Sequence, residues 1–175
     1  MQNEFTNYSR RSIRLKKYDY SQCGAYFVTI CVQDRRYLFG EVVEQKMKLN
    51  KLGEMIDSKW KLLAKKFELI SLGEYIIMPN HFHAIIFIDG SGSQQTLGQL
   101  IGLFKSVTSY EYAKGIENNA WRSQNRKFWQ RNYYEHVIRN EKVLFAIKDY
   151  IIANPRNWHL DRMNLALEFK RGHYM

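Results

Sequence analysis

Residues 78–88 of the chain have the sequence Met-Pro-Asn-His-Phe-His-Ala-Ile-Ile-Phe-Ile. This stretch predicts a β-strand, because it is rich in β-formers and Pro79 is typical of a strand's first residues. Successive side chains of a strand point to opposite faces, so His81 and His83 share one face and Phe82 lies on the other. Two imidazoles at this spacing can bind one divalent cation. Two half-exposed polar residues on a solvent face would give the same pattern.

The composition of the chain indicates a single basic domain. Its 175 residues are enough for a proper hydrophobic core. Lysine and arginine number 27 against 17 acidic residues, which gives a formal net charge of +10 and a pI near 9.6. A positive field of this size attracts polyanions. Nucleic acid is therefore the expected partner, and an anionic membrane surface is the second candidate.

The sequence carries no signal for export or membrane insertion. No segment is apolar over the length of a membrane-spanning helix, and residues 1–6 lack the apolar run of a signal peptide. Cys23 and Cys31 have no metal-binding spacing, and Cys31 is expected to be a small core residue. A disulfide scaffold is not expected, so the chain is predicted to be cytoplasmic.

Residues 1–175 are predicted to form a single domain, whose core lies between two terminal segments. Residues 1–20 form a basic arm and residues 161–175 a polar tail. A charge run of this kind is either a solvated segment or a phosphate-contacting arm, and the sequence leaves both open. The arm carries three candidate phosphate contacts: Arg10, Arg11 and Arg14.

Hydrophobic periodicity and turn residues predict the remaining elements. In chain order these are a strand at 25–32, a second strand at 37–43 that pairs back on it, a helix from about 46 to 66, a strand at 67–77, the strand at 81–88, a helix capped by Thr96, a polar loop at 115–126, a strand at 128–138, and a helix capped by Asn140 that runs from Glu141 to about Ala153. Gly73 is expected to form a bulge or bend. Pro155 is expected to end the last helix by displacing the residue before it from the α region.

This order of elements predicts an α+β fold. A ferredoxin-like or RRM-like antiparallel sheet would carry two helices on one face. The opposite face would stay open for a site or a partner. The last helix is additional to that architecture.

The additional helix carries Tyr150 on the flank of its apolar stripe, because neighbouring residues are about 100° apart around a helix. The stripe consists of Val143, Leu144, Ile147 and Ile151. Asn154 lies one turn above Tyr150 on the same side. A boundary tyrosine that packs its ring and keeps its hydroxyl in water would have the same spacing.

Several segments of the chain, taken in order, resemble the REP-associated tyrosine transposases, a branch of the single-tyrosine HUH transposases of small insertion sequences. The matching segments are Tyr-Phe-Val-Thr-Ile-Cys at 26–31, Met-Pro-Asn-His-Phe-His at 78–83, Ile-Gly-Leu-Phe-Lys-Ser at 101–106, Trp-Gln-Arg-Asn-Tyr-Tyr-Glu-His-Val-Ile-Arg at 129–139, and Asp-Tyr-Ile with Asn-Pro within 149–155. Together they cover most of residues 10–158. The additional helix then corresponds to the family's catalytic helix.

The resemblance implies a metal-dependent single-stranded DNA endonuclease and strand transferase. Tyr150 would attack a phosphodiester, form a covalent 5′-phosphotyrosine and release a 3′-hydroxyl, with Mg²⁺ or Mn²⁺ stabilising the developing charge. His81 and His83 would bind the ion, and Asn154 would be a third ligand. A phenolate is a good leaving group, so a 3′-hydroxyl can rejoin strands without external energy.

The resemblance also implies the partners. Single-stranded or hairpin DNA is the expected partner, and no membrane partner is expected. The protein is expected in the bacterial cytoplasm, associated with the nucleoid when it is bound to DNA. Lys105 and Arg139 are additional candidate phosphate contacts. Monomer and homodimer both remain open.

Two other functions fit the same residues. A non-enzymatic RRM-like binder of single-stranded nucleic acid would use the same basic surface and aromatic sheet, but would give the histidine pair no purpose. A metal-dependent phosphodiesterase that uses water would need no tyrosine. Tyr133 and Tyr134 are rival nucleophiles or base-stacking residues, and strand alternation places Tyr134 and His136 on one face.

Overall fold

The computed structural model describes residues 23–89, 96–118, 121 and 127–164. The basic arm, with Arg10, Arg11 and Arg14, lies outside the described residues, as does the part of the predicted polar tail beyond residue 164. Within the described ranges, no helix combines the length and apolarity that a membrane crossing requires.

A four-stranded antiparallel sheet forms the centre of the molecule. Its strands are β1 (Gly24–Cys31), β4 (Ile70–Met78), β5 (His81–Ile88) and β6 (Tyr134–Ile138), in the spatial order β4-β5-β1-β6. A separate hairpin consists of β2 (Gly40–Val43) and β3 (Lys46–Leu49). The helices are α1 (Lys51–Lys66), α2 (Leu97–Glu117) and α3 (Glu141–Ala153), with short 3₁₀ turns at Gln33–Arg35 and Trp158–Leu160.

The main hydrophobic core lies between one face of this sheet and two helices. Phe82 and Ile86 of β5 point into it, and α1 contributes Trp60, whose ring centroid is 4.7 Å from that of Phe82. Phe104 of α2 lies 5.1 Å from Trp60 by the same measure. All four side chains are at most 2% exposed. The sheet order and the two helices on one face confirm the predicted ferredoxin-like α+β architecture.

The opposite face of the sheet is less open than the sequence suggested. Helix α3 covers part of it through a second cluster formed by Ile151, Ile85 and Ile138, with Phe27 and Ile147 packed around them. The predicted open face is therefore narrower than expected, because the apolar stripe of α3 needs a surface to cover it. At the end of β5 that begins with His81, Trp158 and Asp161 of the C-terminal segment pack against this face.

Helix α1 begins later than predicted. Residues 46–49 form β3 rather than the first turn of the helix, and their side chains alternate between exposed and half-buried. The helix starts after Asn50, whose side chain accepts hydrogen bonds from the amides of Leu52 and Gly53, both at 3.0 Å. Consequently β2 pairs with β3 and does not pair back on β1.

Other boundaries differ in detail. Helix α2 starts with a capping box at Thr96 as predicted, but it continues through residues 115–117 to Glu117, where a loop was expected. Strand β6 starts only at Tyr134, although Trp129 forms an isolated bridge with Val32. The register of β4 shifts between Leu72 and Tyr75, which confirms the expected irregularity at Gly73.

Helix α3 ends as expected, but by a different route. Asn154 keeps α-helical dihedral angles of −55° and −45°, so Pro155 has not displaced it from the α region. Pro155 has no N–H to donate to the preceding turn, and this ends the hydrogen-bond ladder. The chain continues in tight turns, in which the Asn157 amide donates to the carbonyl of Ala153 at 3.1 Å.

Candidate metal centre and tyrosine cleft

His81 and His83 lie side by side on the sheet face that α3 only partly covers. On β1, Cys31 is the register partner of His81 and Thr29 that of His83. The two imidazole centroids are 4.5 Å apart, and the side chains are 0% and 3% exposed. The alternation predicted from the sequence is confirmed, whereas the alternative of two half-exposed histidines is wrong.

Asn80 fixes the orientation of His81. The Asn80 amide nitrogen donates to the carbonyls of Arg35 and Met163 at 3.0 and 2.7 Å. Its oxygen therefore faces His81 Nδ1 at 2.8 Å and must accept a hydrogen bond from it. That tautomer leaves a lone pair on His81 Nε2, which is buried and has no hydrogen-bond partner within the described part of the chain.

His83 is held from the neighbouring strand. Its Nδ1 lies 2.8 Å from the hydroxyl of Thr29, across the β1–β5 pairing. Donation from Nδ1 to Thr29 would leave Nε2 as the acceptor nitrogen. Both histidines thus have one ring nitrogen engaged by an oxygen, which leaves a lone pair on Nε2, as in histidines that bind metals.

Asp161 completes the cluster, and sequence reasoning missed it. One ligand atom each from His81, His83 and Asp161 lie within 4.8 Å of one another, and Asp161 Oδ2 is 3.9 Å from His81 Nε2. The other carboxylate oxygen accepts the Met163 amide at 2.7 Å, so the residue sits in a tight turn. Asp161 and Asn164 are residue types that favour turns, but nothing in the sequence indicated that the turn folds back on β5.

The segment that carries Asp161 is fixed to the body of the protein. Asn164 is buried and accepts a hydrogen bond from the hydroxyl of Tyr37 at 2.6 Å, and its amide donates to the carbonyl of Trp158 at 2.9 Å. Arg35 donates to the carbonyl of Arg162 at 3.3 Å. Residues 161–164 were assigned to a polar tail from sequence, yet they form one wall of the site.

Burial keeps both imidazoles neutral. Desolvation, aided by the nearby Arg35 cation, lowers the pKa of His81 to about 3. The pKa of His83 also lies well below its ordinary value, through desolvation and the neighbouring His81, although the Asp161 carboxylate acts in the opposite direction. A neutral imidazole is the form that binds a metal ion.

Tyr150 reaches the cluster from α3. Its hydroxyl is 3.2 Å from His83 Nε2, and its ring meets the ring of Phe27 edge-on. The residue is 47% exposed, so its hydroxyl is accessible from the cleft. Burial and the Asp161 carboxylate raise the pKa of Tyr150, while a hydrogen bond from Asn154 lowers it.

Asn154 lies beside Tyr150, as its helical spacing predicted. It is 3% exposed, and its amide oxygen is buried without a hydrogen-bond partner among the residues described. Together with His81 Nε2, this gives two buried lone pairs that have no donor among the described residues. Two imidazole nitrogens, a carboxylate and an amide oxygen are a donor set that fits a divalent cation such as Mn²⁺ or Mg²⁺.

A cleft of about 450 Å³ is lined by His83, Asn154 and Asp161, whereas the fully buried His81 does not line it. The hydroxyl-bearing Tyr150 and the ring of Tyr134 both line it, and Tyr134 is 55% exposed. Leu160 and Arg162 line the cleft from the C-terminal segment. Tyr134 is thus near the chemistry, while Tyr133 packs against the main core on the other side of the strand.

The remaining predicted residues lie elsewhere. Lys105 is on α2, where its ammonium group donates to the carbonyls of Gln130 and Arg131 at 2.6 and 2.9 Å. Arg139 follows Ile138, the last residue of β6, which pairs with Ala25. Ile138 is about 13 Å along the strand from Tyr134, which pairs with Thr29. Neither side chain is brought to the histidine cluster, and their roles as phosphate contacts stay predictions.

A ferredoxin-like sheet that brings a histidine pair, a carboxylate and a helix-borne tyrosine to one cleft places this protein among the transposases. A model of the family described as IS200-like transposases matches residues 19–154. The chain belongs to this family. The resemblance to the REP-associated tyrosine transposases is confirmed by the relatives and structures that are similar to it.

Two proteins of Haemophilus influenzae are similar in sequence. One, whose function is uncharacterised, is 37% identical over 177 residues, covering 88% of this chain and 92% of the relative. The other is provisionally assigned as a REP-associated tyrosine transposase and is 26% identical over 142 residues, covering 78% of this chain and 73% of the relative.

Two solved structures share the fold. A REP-associated tyrosine transposase bound to a REP hairpin is similar with a TM-score of 0.60 and 17% identity, covering 83% of this chain and 74% of that one. A protein of Deinococcus radiodurans R1 that is provisionally assigned as a transposase has a TM-score of 0.50 and 14% identity, covering 79% and 94%. At these identities the likeness shows the fold alone.

Proposed function

We propose that this transposase is a metal-dependent single-stranded DNA endonuclease and strand transferase that acts through a covalent 5′-phosphotyrosine. The observation that carries the proposal is the position of the Tyr150 hydroxyl, 3.2 Å from Nε2 of a histidine in the His81–His83–Asp161 cluster. A nucleophile beside a cation-binding cluster in an open cleft suits phosphoryl transfer better than simple binding. Bacterial cytoplasm and nucleoid are the proposed location.

The ligands proposed for the cation are Nε2 of His81 and of His83 and the Asp161 carboxylate, with the Asn154 amide oxygen as a fourth donor. Bound there, Mg²⁺ or Mn²⁺ would polarise the scissile phosphate and stabilise its developing negative charge. His83 Nε2 has a single lone pair, so it could not accept from the Tyr150 hydroxyl while it bound the ion. Loss of that contact would free the hydroxyl for reaction.

The residues of the cleft then account for the chemistry. The Tyr150 oxygen forms a bond to phosphorus as the bond from phosphorus to the 3′ oxygen breaks. The phenol loses its proton in this step, and the departing 3′ oxygen takes one up. Asn154 holds the phenol in place through its hydrogen bond, and the half-exposed position of Tyr150 admits a strand from solvent.

The proposed substrate is hairpin-bearing single-stranded DNA. Support comes from the family and from a structure of similar fold, a REP-associated tyrosine transposase bound to a REP hairpin. The formal charge of +10 and the exposed ring of Tyr134 at the cleft are also consistent with an unpaired strand.

The test is a cleavage assay with end-labelled hairpin DNA and Mn²⁺, resolved on denaturing gels. Wild type should give a covalent adduct. Tyr150→Phe removes one oxygen, keeps the ring packing and should give none, and His81→Ala or His83→Ala should abolish cleavage in the presence of the metal. Tyr134→Phe is the matched control, because this ring lines the same cleft, and its adduct should persist.

Other outcomes of the cleavage assay would support the hydrolase or the RRM-like binder. Cleaved product without an adduct on any tyrosine would indicate a hydrolase that uses water. Binding without cleavage would indicate an RRM-like binder. Mass spectrometry of the digested adduct should find the phosphate on the peptide containing Tyr150, and a modified Tyr133 or Tyr134 would overturn that assignment.

A further inference from the structure

Two of the described residues that line the tyrosine cleft, the cleft of about 450 Å³ beside Tyr150, carry a charge at neutral pH. They are Asp161 and Arg162, because burial keeps the pKa of His83 well below its ordinary value. Asp161 belongs to the candidate metal centre and would be engaged by a bound cation. Arg162 is therefore the only described side chain of this cleft that can offer a positive charge of its own to a DNA phosphate.

The backbone around Arg162 is fixed from two neighbouring segments. Its carbonyl accepts a hydrogen bond from the Arg35 guanidinium at 3.3 Å. The carbonyl of the next residue, Met163, accepts one from the Asn80 amide at 2.7 Å. The preceding residue, Asp161, accepts the Met163 amide through its carboxylate at 2.7 Å. The root of the Arg162 side chain is thus held beside the candidate metal centre, although the side chain itself is exposed.

Aromatic packing holds the turn that precedes Arg162. The ring of Trp158 lies 5.9 Å from the ring of His81 and 5.7 Å from that of Tyr37, measured between centroids. The Tyr37 hydroxyl in turn donates to Asn164 at 2.6 Å, on the other side of Arg162. A group that has to meet a reacting phosphate must be placed accurately, and these contacts supply a fixed base for it.

The guanidinium of Arg162 is available to a ligand. It forms no ion pair within the described part of the chain, whereas Lys148 on α3 is paired with Glu74 at 3.0 Å. An arginine stays charged at any physiological pH, and its planar fork of donors can bind two oxygens of one phosphate group. The charge and shape of this side chain therefore match a phosphodiester.

The reaction proposed for Tyr150 creates a need for such a cation. Its oxygen bonds to phosphorus while the bond to the 3′ oxygen breaks, the phenol proton passes to solvent, and the 3′ oxygen takes up a proton from solvent. Negative charge is concentrated on the two non-bridging oxygens of the phosphate during this step. The Asp161 carboxylate opposes that charge, as it does when it raises the pKa of Tyr150. A preorganised cation on the cleft wall would stabilise it.

We propose that Arg162 is a catalytic residue of the tyrosine cleft, whose guanidinium binds a non-bridging oxygen of the scissile phosphate and stabilises the negative charge that develops there. This inference rests on the proposed function, because it concerns the same phosphoryl transfer. It adds a phosphate-binding group that belongs to neither the histidine pair nor α3.

The test compares adduct formation by wild type and Arg162→Gln in single-turnover reactions with hairpin-bearing DNA and saturating Mn²⁺. Loss of one group that stabilises a transition-state charge lowers a rate by about 100- to 1,000-fold. The variant should therefore form the adduct at least about 100-fold more slowly. Its Kd for the same DNA in a chelator should rise by less than about tenfold, since one phosphate contact is lost. Arg162→Lys keeps the charge without the fork and should react at an intermediate rate.

A methylphosphonate at the scissile position supplies a readout that a merely structural role would not change. One non-bridging oxygen is replaced by a methyl group, in either of two configurations, so the charge that Arg162 is proposed to stabilise is removed. With one of the two diastereomers, wild type and Arg162→Gln should cleave at rates within about threefold of each other, because the two changes remove the same interaction. The unmodified phosphodiester should keep the full difference.

Controls separate this contact from general charge and from the metal centre. Arg156→Gln removes an exposed cation that does not line the cleft, and it should cleave like wild type. Calorimetry should give the same Mn²⁺ affinity for wild type and Arg162→Gln, because Arg162 is not a ligand. Melting temperatures equal to wild type would show that the variants are folded, and if Arg162→Gln melts lower, Arg162→Lys is carried through the same measurements.

Three results would overturn the inference. They are cleavage by the Arg162 variants at the wild-type rate, an undiminished defect on both methylphosphonate diastereomers, and loss of Mn²⁺ affinity, which would mean that Arg162 acts through the metal centre. Failure of the proposed function is distinguishable from these, because it would appear as a missing adduct in wild type and would remove both proposals together.

Discussion

At the scale of single residues, Asp161 and Asn154 are oxygen donors beside the histidine pair that differ in their strength as metal ligands. A carboxylate is the stronger ligand for a hard divalent cation. Asp161→Asn keeps the oxygen that accepts the Met163 amide and removes only the charge. We expect this variant to bind Mn²⁺ at least about tenfold more weakly, by calorimetry, a loss in the range seen when metal-site residues are changed.

Two companion variants make this prediction specific. Asn154→Ala should weaken Mn²⁺ binding less than Asp161→Asn, and Asp149→Asn, an exposed carboxylate on α3, should not weaken it. A larger loss in Asn154→Ala than in Asp161→Asn would restore the assignment of the third ligand that the sequence suggested.

The neutral histidines make stability depend on pH. The pKa of each lies below its ordinary value, at about 3 for His81. In the unfolded chain both return to about 6.5, so below that pH the unfolded state binds more protons and folding is weakened. We expect the free energy of unfolding to fall as the pH drops below about 6.5, by up to about 1.4 kcal/mol per pH unit for His81, with a further contribution of the same sign from His83.

Urea unfolding in chelator at several pH values measures this slope. His83→Gln should remove one histidine's share of it. His159→Gln, which changes an exposed histidine, serves as the control and should leave the slope as in wild type. An identical slope in wild type and His83→Gln would contradict a buried neutral imidazole at this position.

The histidine pair and the tyrosine could be predicted at this scale, whereas Asp161 could not. Strand alternation places His81 and His83 on one face from local sequence alone, and the family's motif selects Tyr150. Asp161 reaches the site through the contacts of Asn80 with Met163 and of Tyr37 with Asn164, which join distant segments. No periodicity in the sequence encodes such contacts.

At the scale of elements, Asn50 determines where β3 becomes α1. Its oxygen accepts two helix amides, and its nitrogen donates to the carbonyl of Leu38 at 2.9 Å. Asn50→Ala removes all three bonds and should lower the free energy of unfolding by about 1 kcal/mol. Chemical denaturation measures the loss.

Asn50→Asp separates the two functions of this side chain. It keeps the acceptor for Leu52 and Gly53 and loses the donor to Leu38, so it should cost less than Asn50→Ala. Equal losses in both variants would mean that the cap is not what stabilises the start of α1.

Elements with strong local signals were predicted and those that depend on pairing were not. The Asn140 cap and the apolar stripe of α3 correctly predicted the bounds of that helix. Residues 46–49 alternate with the period of a strand. The apolar stripe that begins at Leu49 nevertheless led to the prediction of one helix from about residue 46 to residue 66. Only the pairing with β2, across a turn where Glu44 and Gln45 have φ values of 50° and 62°, makes them a strand.

At the scale of the whole molecule, the net charge of +10 governs DNA affinity. Binding releases counterions, so affinity should fall steeply between about 50 and 200 mM salt, with a slope of roughly −0.7 to −0.9 per phosphate contacted. Hairpin or single-stranded DNA should compete better than blunt duplex of the same length, if the tyrosine cleft takes up an unpaired strand as proposed. Competition in a gel-shift assay tests this, and equal competition by the duplex would contradict it.

The contact between Asn80 and Met163 joins positions that are 83 residues apart. A ribosome adds about 5–20 residues per second, so roughly 4–17 s separate the synthesis of the two. During that interval a growing chain contains both histidines, and later the tyrosine, but not the carboxylate opposite them. If Asp161 binds the cation, a chain interrupted before this residue retains the sheet and all three long helices and yet lacks the complete cluster. If the protein cleaves DNA as proposed, cleavage then has to await synthesis of the segment that contains Asp161.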